Sequence, residues 1–288
     1  MRLYFLIGLF IPLITLWSTS SQAQQLDDSY FYTQNIFLIN SASLPEKEGI
    51  QSNVFGQYVQ MQDDGIPAQQ IGAAGQMRFK NYAVGGRVLH QERGLLSRSR
   101  INIAYTQHIP FNKNISLQLG VSTGIKLDLL GVSLISDQYI VDLNDPLFDI
   151  NNQDRVRFTA EFGASLQLYD WTFGVSAPEL YGYGYEYFQL LNIHISKRIQ
   201  LADKSTLTPL LIVNTHSDTA PIIDISTRWN WRELLWVSTG YRSTQKITLS
   251  TGFQLNNFGF GYAYAHDLGV LKKFESQQHE LLLTFSIH

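Results

Sequence analysis

The chain has 288 residues, 44% of them hydrophobic and 16% charged, with a formal net charge of −3 and no cysteine. Without cysteine there are no disulfide staples, thiolate metal sites, cysteine nucleophiles or lipidated N-terminal cysteine. Without a basic excess nothing points to nucleic acid as a partner.

Residues 1–23 read as a secretory signal. Arg2 supplies the basic start, Leu3 to Trp17 an almost unbroken apolar core, and Ser21-Gln22-Ala23 a small-x-small cleavage motif, so cleavage is expected after Ala23. Loss of Arg2 with this leader takes 21 basic residues to 20 against 24 acidic ones, leaving −4. Past the leader no apolar run approaches about 18 residues, which excludes transmembrane helices.

Residues 24–49 carry no regular period and end in the polar run Pro45-Glu46-Lys47-Glu48. They are expected to form a periplasmic segment ahead of a barrel domain at 50–288. From residue 50 onward the chain proceeds in two-residue steps. Ile115, Leu117, Leu119, Val121, Ile125, Leu127 and Leu129 alternate with Asn114, Ser116, Gln118, Gly120, Gly124, Lys126 and Asp128. Successive strand residues point to opposite faces, so each such segment has one apolar and one polar side. Eleven residues at a rise of about 3.3 Å and a tilt of roughly 45° span about 25 Å, the height of an outer-membrane apolar band. The pattern predicts a closed antiparallel transmembrane β-barrel with polar side chains inside.

In chain order the predicted strands are 50–60, 68–79, 82–91, 98–109, 114–129, 154–169, 171–178, 187–199, 205–214, 220–231, 233–243, 245–256, 257–266 and 277–287. Fourteen is an even number, as in single-chain bacterial barrels. Joints such as Lys80-Asn81, Asn112-Lys113, Asp170 and Asn256-Asn257 are tight, whereas 61–67, 92–97, 130–153, 179–186 and 267–276 are longer, with Ser243-Thr244 the exception, short although external by parity. Short periplasmic turns alternating with long external loops are the outer-membrane arrangement. Trp229 and Trp231 beside Trp236, and the row Phe258, Phe260, Tyr262, Tyr264, are expected in interfacial girdles.

Candidate chemistry is sparse. The seven histidines form no ligand-spaced pair. His216-Ser217-Asp218 is contiguous and cannot converge as a relay of base and nucleophile. His194-Ile195-Ser196 puts both polar groups on one face, read as the lumen, although a lipid-acting barrel enzyme would use similar residues. The acidic stretch Asp142 to Asp154 offers oxygen ligands for Ca²⁺ but lacks the glycine and terminal glutamate of an EF-hand. Tyr181-Gly182-Tyr183-Gly184-Tyr185 precedes no helix and suits protein contact better than phosphate binding. No catalytic, cofactor-binding or metal residue is assigned.

Several segments, in order, resemble the PorP/SprF family of type IX secretion system membrane proteins of the Bacteroidetes. They are Tyr32 to Ala42, Gln57-Tyr58-Val59 with Asp64-Gly65-Ile66-Pro67, Asp145-Pro146-Leu147-Phe148, Phe173 to Pro178, Gly259 to Tyr264 and His279-Glu280-Leu281. The chain departs from the family pattern at Ser41 (usually proline), at Tyr58 (usually tryptophan) and at His279, which lacks a preceding serine. The resemblance implies an outer-membrane barrel without enzymatic activity and without a cofactor. It also implies a role in secretion or surface attachment of large proteins with C-terminal sorting domains, gliding adhesins among them, and partners among the other type IX components. External loops are the expected cargo-facing surface, with Asp145, Pro146, Leu147, Phe148, Asp149, Tyr181, Tyr183 and Tyr185 as contact candidates. The competing reading is an outer-membrane channel or transporter for small solutes. That reading calls for a charged, open lumen, whereas the inward positions are mostly Ser, Thr, Gly and Gln with modest charge.

Overall fold

A computed structural model describes residues 29–61, 68–93, 96–130, 155–178, 190–201, 204–216, 219–269 and 275–287. Fourteen strands form one antiparallel sheet closed on itself. They are β1 (Gly49–Met61), β2 (Ala68–Arg78), β3 (Tyr82–Arg93), β4 (Leu96–Pro110), β5 (Ile115–Leu130), β6 (Arg155–Leu168) and β7 (Trp171–Ala177), followed by β8 (Leu190–Lys197, resuming at Ile199–Gln200), β9 (Ser205–His216) and β10 (Thr219–Trp231). The last four are β11 (Leu235–Arg242), β12 (Lys246–Leu255), β13 (Phe258–Asp267) and β14 (Glu275–Ile287). The interruption of β8 at Arg198 is local, because the Arg198 N–H donates to the Asp170 carbonyl at 2.8 Å. Each strand pairs with its neighbour in sequence. Pairing of β1 with β14, from Ile50↔Ile287 to Gln60↔Gln277, closes the ring.

Closure removes every sheet edge, so each ladder group finds a partner in a medium without water. Starting at Val54 and passing through Ala73, Val88, Ile101, Ile125 and Phe158, partner follows partner around the ring. Extending each register back to β1 gives a stagger of about 14 residues, which for fourteen strands sets a tilt of about 35° and a radius of about 13 Å.

The side-chain alternation has the expected sense. Ile71, Ile103, Phe158, Leu249 and Leu283 point outward and are more than half exposed, a continuous apolar surface that a water-soluble monomer would not carry. Asn102, Thr106, Ser122, Ser165, Ser238 and Ser250 point inward and are buried. Outward aromatics gather at the short-turn end, where Phe79, Tyr82 and Tyr105 stack and Phe258 meets Phe285 at 5.1 Å between ring centres. Trp229 belongs to this outward set, 40% exposed. Trp236 does not. Its strand parity turns it inward, and its ring meets Phe31 edge-on at 6.0 Å.

Tight turns rely on left-handed residues. Arg232 and Glu233 have φ of 52° and 56°, and Asn256 has 51°, the twist that two-residue hairpins require. The joint between β3 and β4 is shorter than expected, because both strands continue past the predicted ends to Arg93 and Leu96.

The expected periplasmic placement of the N-terminal segment needs correction for the residues described. Residues 29–45 lie inside the barrel, and Glu46, Lys47 and Glu48 emerge at its short-turn end. Two single-turn 3₁₀ helices, Tyr30–Thr33 and Ile36–Leu38, are capped by the side chains of Ser29 and Asn35. The segment hydrogen-bonds to strands on all sides of the ring, which only the lumen permits. Its apolar residues make the core, with Tyr30 and Phe31 on Phe55, Ala263 and Leu282, Tyr32 and Ile39 on Leu210 and Ile212, and Phe37 on Ala74 and Ala104. Leu38 packs against all three groups.

Candidate functional site

The distinctive chemistry of the molecule is where this segment meets the wall. At the turn Asn40-Ser41-Ala42, the Asn40 Oδ1 accepts from the Ala42 N–H at 2.9 Å, and its amide donates to the carbonyls of Ala164 (3.3 Å) and Val175 (3.4 Å). Asn40, Ser41 and Ala42 are completely buried. They rest on Gly120 of β5 and Gly163 of β6, which face each other in register. A Cβ on Gly120 would overlap the Ala42 nitrogen, and one on Gly163 would overlap Asn40 Oδ1. Glycine is required here by close approach of a second chain segment.

The wall then reads the segment mainly through its carbonyls. Arg87 donates to the carbonyls of Phe37 at 2.9 Å and Leu38 at 3.1 Å, and its guanidinium lies over the Phe37 ring at 5.0 Å. The same guanidinium pairs with Glu161. Glu161 in turn accepts the Ser41 N–H at 2.9 Å, a bond that a proline at this position could not make. Ser176 and Asn192 donate to the Ile39 carbonyl at 2.6 and 3.2 Å, and Thr106 to that of Ser41 at 2.7 Å. Arg228 donates to the Thr33 carbonyl at 2.7 Å and to Gln34 Oε1 at 2.9 Å.

Towards the two ends the pattern continues. Gln76 donates to the Ser43 carbonyl at 2.7 Å, and Arg78 to those of Pro45 and Glu46. At the other end the fully buried Glu280 accepts from the Ser29 hydroxyl and, at 2.7 Å, from the Tyr30 N–H. The Tyr30 hydroxyl donates to Gln278.

Higher in the lumen Asp128 takes Arg98 at 2.7 Å and Arg157 at 2.6 Å, while Asp224 takes Arg242 at 2.6 Å and Asp267 faces Lys246 at 3.9 Å. The inner wall thus sets these charged pairs among the expected Ser, Thr, Gly and Gln. Its charges are met by other charges or by main-chain dipoles, as burial demands.

His194 faces the lumen as expected and is 2% exposed. Its ring covers Gly174, where a Cβ would overlap it, and among the described residues no carboxylate bonds it. Among the described residues there is also no cluster of metal-ligating side chains. Asp145, Pro146, Leu147, Phe148, Asp149, Tyr181, Tyr183 and Tyr185, and the acidic stretch proposed for Ca²⁺, lie outside the described residues.

The lumen site escaped residue-by-residue reading because 29–48 has no period. A signal was present nonetheless. Arg87, Glu161, Arg228 and Glu280 are charges at inward positions of membrane strands, where an ionisable group needs a partner, and Gly120 and Gly163 interrupt two strands otherwise filled with larger residues.

No curated protein matches the sequence. Among solved structures the chain is similar to a deletion mutant of the TodX monoaromatic hydrocarbon channel, with TM-score 0.57 at 11% identity, covering 87% of this chain and 93% of that one. It is similar to the CymD monoaromatic hydrocarbon channel, with TM-score 0.55 at 10% identity and coverage of 91% and 94%. It also resembles the outer membrane protein Omp33 of Acinetobacter baumannii, with TM-score 0.50 at 9% identity and coverage of 83% and 99%. At these identities the likeness establishes the outer-membrane barrel fold alone. The model of the family described as type IX secretion system membrane protein PorP/SprF matches residues 21–285. With nearly its whole length so matched, the chain belongs to the PorP/SprF family and is an outer-membrane barrel associated with type IX secretion.

Proposed function

We propose that this barrel is a scaffold of the type IX pathway that supports secretion or surface attachment of large proteins carrying C-terminal sorting domains, adhesins of gliding type among them. In this reading the leader is removed after Ala23, the long joints face the exterior, and Asp142–Asp154 with Tyr181–Tyr185 form the cargo-facing surface. The observation that supports it best is the match to the family over residues 21–285. The segment within the lumen supports the same reading, since it is bonded to strands around the ring and lies in the path a small solute would take. Tyrosine side chains offer contact area at low entropic cost.

Deleting residues 142–153 is expected to leave a heat-modifiable barrel while abolishing surface display of its cargo. Normal display by that deletion would refute the reading.

The channel reading has its own support in the fold shared with TodX and CymD, both described as hydrocarbon channels. It differs in what it requires: a continuous water-filled or apolar path past residues 29–48.

A further inference from the structure

We propose that the inner wall of the barrel is a binding site for a turn-rich polypeptide segment, and that residues 29–48 are its ligand held in cis and exchangeable in trans. Three observations carry this. First, the wall recognises main chain. Eight carbonyls between Thr33 and Glu46 accept hydrogen bonds from wall side chains, as described above. A segment folded as part of the wall would satisfy its carbonyls within its own ladder or turns; here the wall does it, as a receptor does for a peptide.

Second, the site has a register-fixing seat. Gly120 and Gly163 are cut away to receive Asn40-Ser41-Ala42, while Phe31 and Phe37 enter apolar pockets on different parts of the ring. Two aromatic anchors six residues apart, followed by a turn seated directly on the wall, distinguish one polypeptide from another.

Third, among the described residues the ligand is tied to the barrel at one point only. Gly49 has φ of 126°, a conformation that marks the change of direction from segment to wall and that other residues rarely adopt. The tie is accessible, since Glu46, Lys47 and Glu48 are exposed at the short-turn mouth, where Lys47 meets Glu233 and Glu46 meets Arg198, both at 3.3 Å.

The inference does not depend on which cargo the barrel serves, and its test uses no cargo. A site for a specific protease is inserted between Glu48 and Gly49 of the full chain, and the purified barrel is cut in detergent. The severed segment is expected to stay with the barrel through gel filtration. Excess fluorescent peptide of sequence 29–48 should then replace it, with a rise in anisotropy. A scrambled peptide, or the true peptide on the Gly163→Val barrel, should bind more weakly by about tenfold or more, the scale of one or two lost buried contacts. Equal binding of the scrambled peptide would overturn the proposal. So would loss of the severed segment with no peptide uptake, or loss of the heat-modifiable barrel on cutting, since the segment would then belong to the fold rather than to a site within it.

Discussion

Arg87 joins the barrel wall to the segment it encloses. It satisfies Phe37 and Leu38 carbonyls and pairs with Glu161, whose side chain is 3% exposed. Arg87→Ala would leave that carboxylate buried without its cation, a loss of about 3–5 kcal/mol for a buried pair broken on one side. The expected result is a lower heat-modification temperature and faster proteolysis within 29–48, while the strands stay in the membrane. Gly163→Val should act the same way for a steric reason, with no charge involved. Glu280→Ala, which removes the acceptor of the Tyr30 N–H, should cost about 1–3 kcal/mol and expose the segment near residue 29 first, read as an early proteolytic cut there. At this scale the sequence was legible where strand parity decides a side chain's direction. The inward His194 follows from parity. The inward Trp236 follows from parity too, which overrides its closeness to Trp229 and Trp231 at the strand ends. What parity could not disclose was which inward groups meet one another across the lumen.

The strands were readable because a membrane barrel imposes one rule along their whole length, apolar outward and polar inward, and the hairpin turns must reverse them at fixed intervals. All fourteen appear with ends within three residues of expectation. The same rule predicts that charge on the outer face is tolerated by depth. Leu283→Arg, in the apolar band of β14, is expected to destabilise the barrel by about 2–4 kcal/mol, and Gln277→Arg, on the same face near the upper rim, by about 0–1 kcal/mol. Urea-induced unfolding in lipid vesicles measures both, and equal effects would argue against the assigned faces. The segment 29–48 obeys no such rule. Its two short 3₁₀ turns have no amphipathic stripe, and its polar end at Pro45–Glu48 suits a surface exit. Only the resemblance of Tyr32 to Ala42 to a family opening marked it as special, without saying where it goes. Its location follows from long-range pairing, such as Asn40 with strands more than a hundred residues later.

For the whole molecule, strand number and stagger fix a cylinder of about 13 Å radius, too wide for wall side chains alone to fill in the manner of an eight-stranded barrel. The sequence supplied the cylinder. Inside it lies the chain's own segment 29–45, bonded to strands around the ring, and in the scaffold reading proposed above this segment takes the place of a solute path. The most direct test is conductance across a planar lipid bilayer holding the purified full-length barrel. A filled lumen predicts no steady stepwise current at moderate voltage, with steps appearing once Arg87→Ala and Glu280→Ala together loosen the segment. Stable ohmic steps from the unaltered chain would contradict the account.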